Sequence, residues 1–270
     1  MSEHDAVEDA ARPVTVDSLA TDLRELGVDR GDTVLVHTSL NALGWVCVDA
    51  QTVVDALLRV ITPEGTVVMP THSGQYGDPA AWSNPPVPDE WVETIRTERP
   101  PYRPETTPTR GVGVVPECFR SYPGVRRSRH PVVSFAAWGH HADTVIEGHS
   151  YDDGLGDGSP LARVYDLNGD VLLLGVGHAP NTSLHLAEYR ADSNPQRTTN
   201  LAPVIEDGER ALLEYSDIET DDSDFVTLGE AFEAEQPDAL ETGPVGGGSG
   251  RRCSQRALVD FATGWLEDHR

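Results

Sequence analysis

His185 and Glu188 stand three positions apart in the string Asn181-Thr182-Ser183-Leu184-His185-Leu186-Ala187-Glu188. On a helix that spacing puts an imidazole and a carboxylate on one face. A neutral imidazole is the usual general base near neutral pH, and a carboxylate beside it fixes its tautomer and stabilises the charged ring. The pair therefore suits proton transfer. The same spacing also fits a solvated or core histidine, or, with His178, a metal site of three ligands. Nothing in the spacing fixes His178 relative to the other two.

Three other strings carry residue types suited to a ligand. The run from His37 to Trp45 is a small-residue loop after an apolar run, with Thr38 and Ser39 hydroxyls and backbone N–H groups able to hold phosphates, or simply a tight turn. It matches neither the Walker A nor the GxGxxG pattern. Arg126-Arg127-Ser128-Arg129-His130-Pro131 places three guanidinium groups together, for a phosphate or carboxylate ligand or for the acidic surface. His130, before a proline, is held out of the helical region and reads as a fixed orienting residue. In Gly154-Leu155-Gly156-Asp157-Gly158-Ser159-Pro160, Asp157 suits a substrate ammonium and Ser159 caps a helix whose N-terminus suits an anion; a plain cap and turn gives the same string.

The elements that must position these groups follow from periodicity. Val171 to Leu174 is a continuous apolar run, as in a strand buried on both faces, and the helix bearing His185 begins after a short loop capped by Asn181 or Thr182. Helices are expected over Asp17–Leu26, Gln51–Ile61, Gly111–Ser121, His140–Glu147, Ser159–Leu167, Asp224–Gln236 and Ser254–Glu267. Strands are expected over Thr33–His37, Thr66–Met69 and Val132–Ala137, and a hairpin over Leu201–Ile205 and Arg210–Tyr215 around Asp207-Gly208. Thr71 to Pro108 is dense in Pro, and its Trp82, Trp91 and Tyr102 predict an ordered covering loop. Gly243 to Gly250 is Gly-rich. The fold class expected is α/β: three layers, α/β/α, with a mostly parallel central sheet and a late antiparallel hairpin.

Composition narrows the function. The chain has 270 residues and a formal net charge of −25, and every Lys/Arg position is Arg. So acidic a chain is not expected to bind nucleic acid, since phosphate contacts need a basic patch. The charge suits either a solvated shell in a salt-rich, halophilic cytoplasm or attraction of a cationic substrate. No apolar run approaches the length of a membrane span, and Met1 to Arg12 reads as a flexible acidic tail without a signal-peptide core, ahead of a single domain over 13–270. No membrane partner and a cytoplasmic location are expected. Cys47, Cys118 and Cys253 are scattered, without zinc or disulfide spacing.

Six strings in order resemble the aminoglycoside 3-N-acetyltransferase family, which is distinct from the small general N-acetyltransferase fold. They are VHTSLNALGWV at Val36–Val46, TPEGTVVMPT at Thr62–Thr71, TRGVG at Thr109–Gly113, RRSRHPVVS at Arg126–Ser134, GDGSPLARVYDLNGDVLLLGVG at Gly156–Gly177 and NTSLHLAE at Asn181–Glu188. The resemblance implies transfer of an acetyl group from acetyl-coenzyme A to a primary amine of an aminoglycoside or related aminosugar, by direct attack. An ammonium must lose a proton before it can attack. His185 matches the family histidine that would take it, and Glu188 the carboxylate that orients that ring. The coenzyme is expected against Thr38, Ser39, Leu40, Ala42, Leu43 and Gly44, with Thr109, Arg110 and Ser159 nearby. The cationic aminosugar is expected against Asp157, His72 and Asn181. No metal is implied; a monomer or homodimer is expected. The alternatives are a non-catalytic or non-antibiotic coenzyme A-binding relative, and a metal-dependent hydrolase using His178, His185 and Glu188.

Overall fold

The computed structural model describes residues 7, 8, 10, 12–83 and 85–270, so most of the tail expected over Met1 to Arg12 lies outside the described residues. Three strands with apolar centres form the middle of a seven-stranded sheet: β1 (Thr33–Thr38), flanked by β2 (Thr66–Pro70) and β5 (Asp170–Leu174). Both pairings are parallel, with Val34 opposite Val67 and Val36 opposite Leu172. The runs are continuously apolar because both faces are covered. Val34, Val36, Val67, Met69, Leu172 and Leu174 point into one core, and Leu35, Val68, Val171 and Leu173 into the other.

The first core is closed by α1 (Val16–Glu25), α2 (Ala50–Ile61) and α4 (Val114–Phe119). The second is closed by α5 (Ala142–Ile146), α6 (Pro160–Asp166), α7 (Ser183–Arg190), α8 (Phe225–Glu235) and α9 (Gln255–His269). This is the expected three-layer α/β/α arrangement. Outside the parallel trio the pairing turns antiparallel. β4 (Phe135–Gly139) joins β2, and the two-residue β3 (Arg126–Arg127) joins β4. On the other side β9 (Gly248–Ser254) joins β5, and β8 (Leu240–Val245) joins β9.

Three elements differ from the sequence reading for identifiable reasons. β4 starts at Phe135 rather than Val132, because the amides of Val132 and Val133 both donate to His130 Nδ1, at 3.2 and 3.1 Å, instead of to a ladder. The Gly-rich stretch is a β-hairpin: a Cβ on Gly250 would lie 2.5 Å from Val245 and 3.0 Å from Leu26, so glycine lets the strand pack against α1. The excursion holds a helix, α3 (Asp89–Glu98), none of whose side chains is buried, so no apolar stripe announced it.

Trp91 on α3 is 56% exposed, so it does not anchor the excursion; Tyr102, 3% exposed, does, donating from its hydroxyl to Ser128 O at 3.0 Å. The excursion leans on the late hairpin, β6 (Arg197–Glu206) and β7 (Glu209–Ile218), which forms a sheet of its own. Asp207 and Gly208 turn it at φ 51° and 84°, the doubly positive pair that a two-residue type I′ turn requires. Tyr102 N donates to Pro203 O at 2.9 Å, Arg99 Nη2 to Leu201 O at 2.9 Å, and Arg210 Nη2 to Arg96 O at 2.8 Å.

Candidate active site

At the carboxyl ends of the central strands lies an open cleft of about 550 Å³, where ligands commonly bind in α/β sheets. Four segments wall it: the end of β1 with the loop Thr38–Asn41, the stretch after β2 with His72, the strip Gly111–Pro116, and the β5–α7 connection with His185. Gly175, at φ 70°, lets this connection leave β5; a Cβ there would sit 2.9 Å from Ala42 and 3.0 Å from Ser39 O. Asn181, fully buried, starts α7 by accepting Ser183 N–H on Oδ1 at 3.2 Å, and Thr182 makes no capping bond.

His185 sits on the first turn of α7 and reaches the cleft, while Glu188, 3% exposed, lies beneath it. His185 Nδ1 is 2.6 Å from Glu188 Oε2. A carboxylate acceptor there holds the proton on Nδ1 and leaves the Nε2 lone pair free. The ring is packed at 4.8 Å against Phe225, which is fully buried. The other carboxylate oxygen, Oε1, accepts Asp221 N–H at 2.8 Å and Arg270 Nη1–H at 2.5 Å.

Two more imidazoles line the cleft. Burial, followed by the charges of His185 and His178, pulls His37 down to about 3; its Nε2 lies 3.3 Å from Thr182 Oγ1. Burial, followed by His185, His37, His149 and Arg127, also pulls His72 down to about 3, and its buried Nε2 has no hydrogen-bond partner. Both rings are neutral at pH 7. Asp222 brings a carboxylate to the rim.

The structure therefore brings together His185, Glu188, His72, Thr38, Ser39 and Leu40. It does not bring the other expected residues to the cleft lining. Ala42 and Leu43 end the same short 3-10 turn outside the cleft lining, Ala42 exposed and Leu43 fully buried, and Gly44 turns at φ 83° toward Gly247. Thr109 and Arg110 fix the neighbouring chain through their main-chain N–H groups, Thr109 N donating to Glu117 Oε2 at 2.8 Å and Arg110 N to His72 O at 2.8 Å, and Arg110 lines a separate groove with Gly74 and Trp82. Ser159 is buried and caps α6 by accepting Leu161 N–H at 3.2 Å. Asp157 pairs with Arg190 at 2.8 Å in a separate groove, and Asn181 is enclosed below the cleft.

His178 is a structural pin rather than a third ligand. Its Nε2 lies 3.0 Å from Glu233 Oε1, which also accepts Arg251 Nε–H at 2.7 Å, and Asn181 Nδ2 lies 3.3 Å from its Nδ1. Among the described residues no three His, Cys, Asp or Glu side chains are grouped so as to hold a metal. The arginine cluster disperses: Arg126 pairs with Asp143 and Glu147, while Arg127 is buried and donates to Thr71, Ser73, Thr107 and Ser134. His130 accepts two backbone N–H groups on Nδ1, so its Nε2 carries the proton donated to Tyr151 O at 3.2 Å.

Sequence reasoning assigns no role to His37, Asp222 or the strip Gly111–Pro116, although His37 opens the candidate loop and Gly111 to Gly113 lie in the TRGVG string. His37 could have been found, since it closes a strand at the carboxyl edge where such clefts form. Nothing separates Asp222 from its acidic neighbours in the string Asp221-Asp222-Ser223-Asp224. None of the three cysteines lines the cleft, and no described helix is long and apolar enough to cross a membrane.

Known proteins resemble this chain over most of its length. The profile of the aminoglycoside 3-N-acetyltransferase family matches residues 35–267. The chain is 45% identical over 262 residues to the SPbeta prophage-derived aminoglycoside N(3')-acetyltransferase-like protein YokD of Bacillus subtilis, covering 96% of this chain and 95% of that protein. It is 36% identical to aminoglycoside N(3)-acetyltransferase VII of Streptomyces paromomycinus, covering 95% and 92%. The crystal structure of the Bacillus subtilis protein superposes with a TM-score of 0.95 at 43% identity, over 98% of each chain. AAC-IIIb, in a binary complex with CoASH, gives 0.85 at 29% identity, over 95% and 97%, and AAC-VIa, bound to sisomicin, gives 0.85 at 29%, over 96% and 99%. Matched by the family profile and by relatives over most of its length, the chain belongs to the aminoglycoside 3-N-acetyltransferase family.

Proposed function

We propose that the chain transfers the acetyl group of acetyl-coenzyme A to a primary amine of an aminoglycoside or related aminosugar, with His185 as general base. The observation carrying this reading is the 2.6 Å contact between His185 Nδ1 and Glu188, which leaves Nε2 as the basic nitrogen of a ring that lines the cleft. His185 takes a proton from the acceptor ammonium, and Glu188 stabilises the resulting imidazolium. The freed amine lone pair then forms the N–C bond of the amide as the C–S bond breaks; the proton taken by His185 passes to solvent, and the second proton the nitrogen sheds goes to the departing thiolate to give coenzyme A thiol. Acetyl-coenzyme A supplies an activated carbonyl and a thiolate leaving group.

The cleft residues fit that donor. Gly111 and Gly113 lie at φ +82° and +85° with nothing within 4 Å of where a Cβ would stand, which leaves a bare backbone strip beside Val112, Val114 and Val115. Such a strip admits an extended chain of alternating methylenes and amides closely. Thr38 and Ser39 add hydroxyl-bearing residues to the same cleft. For the acceptor, Asp222 offers a negative partner, and the neutral rings of His37 and His72 add no positive charge against an ammonium.

Thiol release from acetyl-coenzyme A with a panel of aminosugars tests the proposal. His185→Ala is expected to lose roughly 10²–10⁴-fold in kcat. His178→Ala, whose ring is engaged by Glu233, is expected to lose far less. Equal losses would overturn His185 as the sole base, and no turnover with any amine would favour a coenzyme-binding relative.

A further inference from the structure

The carboxylate beneath His185 is fastened from the far end of the chain. α9 packs on α7 in the second core, and Arg270 caps it, its N–H donating to Leu266 O at 2.9 Å. That fixes where its side chain starts. Its guanidinium then donates Nη1–H to Glu188 Oε1 at 2.5 Å, Nε–H to Asp224 Oδ2 at 2.9 Å, Nη2–H to Asp224 Oδ1 at 2.5 Å, and Nη2–H also to Asp221 O. Asp221 N–H closes the loop onto the same Glu188 oxygen at 2.8 Å. One planar cation thus joins the buried carboxylate to the segment that carries Asp222 to the cleft rim.

We infer that Arg270 is a positioning residue for the reaction: it fixes Glu188 so that Oε2 meets His185 Nδ1, and it holds the Asp221–Asp224 segment against the cleft. This rests on the proposed role of His185 as base. The charged and titratable groups around the clasp are His185, Glu188, Asp221, Asp222, Asp224 and Arg270 itself. Without the guanidinium, Glu188 keeps only Asp221 N–H on Oε1 and can swing away from the ring. A bidentate pairing to Asp224 with a third arm on Glu188 needs a planar fork, which a lysine ammonium cannot supply.

The test is a double-mutant cycle read by steady-state thiol release, with thermal melting as a fold control. Arg270→Ala should lower kcat by about tenfold or more, as expected when a base is displaced from its productive geometry. The KM for acetyl-coenzyme A should not change, because the guanidinium's hydrogen bonds run to Glu188, Asp221 and Asp224 and none to the Gly111–Pro116 strip. In a Glu188→Gln background, Arg270→Ala should change kcat by less than about twofold, since the group it acts through is already altered. Arg270→Lys should fall between wild type and Arg270→Ala, and it carries the same cycle if the alanine variant does not fold. Wild-type kcat in Arg270→Ala, or an equal loss in both backgrounds, overturns the inference. If His185→Ala is inactive while Arg270→Ala is fully active, this inference alone fails. If His185→Ala retains turnover, the base reading fails and takes this inference with it.

Discussion

Replacing Glu188 by glutamine removes a charge and almost no volume, and the consequence can be worked out atom by atom. The native carboxylate receives three N–H groups, from His185 Nδ1, Asp221 N and Arg270 Nη1. An amide offers one accepting oxygen and one donating NH₂. If the oxygen stays with Asp221 and Arg270, the NH₂ faces His185 Nδ1. The ring must then present a lone pair there and carry its proton on Nε2, the tautomer that cannot accept a proton from the substrate. If the amide is reversed, its NH₂ opposes a guanidinium and a backbone N–H, leaving a buried donor unsatisfied at about 1–3 kcal/mol. The first arrangement is the cheaper, so the folded protein survives in the wrong tautomer. We expect kcat to fall by roughly 10²–10⁴-fold, as for other base-orienting carboxylates converted to amides. The melting temperature should drop only modestly, since Arg270 retains Asp224. The assay is thiol release at saturating acetyl-coenzyme A and acceptor, with thermal unfolding in parallel. A variant whose kcat lies within about threefold of wild type would refute the tautomer argument.

Two further outcomes follow from packing and burial. Gly229→Ala on α8 places a Cβ 2.1 Å from His178 Cγ and 2.3 Å from Cδ2, and the ring is held by Glu233 and Asn181; despite the better helix propensity of alanine, we expect a loss of about 1–3 kcal/mol by chemical denaturation, and neutrality would show that His178 is not pinned. Burial holds His37 and His72 down to about 3 and His149 down to about 4 in the folded chain, against an ordinary value near 6.5, so the unfolded chain binds more protons between those limits. Their contribution is complete above about pH 6.5 and is lost as pH falls, by up to ~1.4 kcal/mol per pH unit per histidine. Denaturation midpoints measured from pH 7.5 to 4.5 should fall steadily, and a flat profile would mean these rings are not held neutral.

Much of this was legible because the signals were local. The apolar runs of β1, β2 and β5 are continuous only because both faces are covered, and the caps at Ser159 and Ser254 act within three residues of their helices. The His185–Glu188 contact also follows from helix spacing, which the sequence carries directly. Groups assembled by tertiary contact were not legible. Arg270 reaches Glu188 across 82 positions, and nothing in either neighbourhood marks the other. Asp157 and Ser159 drew attention by composition, yet an ion pair to Arg190 and a capping bond already satisfy them. The flanks of the sheet escaped for another reason. β9 is rich in Gly and Arg and β8 carries Gly243 next to Pro244, and only their neighbours α1 and β5 turn them into strands.

The attachment between the excursion and the late hairpin is made largely of arginine side chains and backbone carbonyls. From the excursion Arg99 reaches Leu201 O on the hairpin, and from the hairpin Arg210 reaches Arg96 O and Arg99 O on the excursion. A carbonyl oxygen is present whatever side chain a position bears. Either segment can therefore change residue by residue at its accepting positions and remain tethered, so long as the donating guanidiniums persist. A fastening of this kind tolerates sequence drift at the accepting positions of both partners while concentrating its vulnerability in two side chains, Arg99 on the excursion and Arg210 on the hairpin.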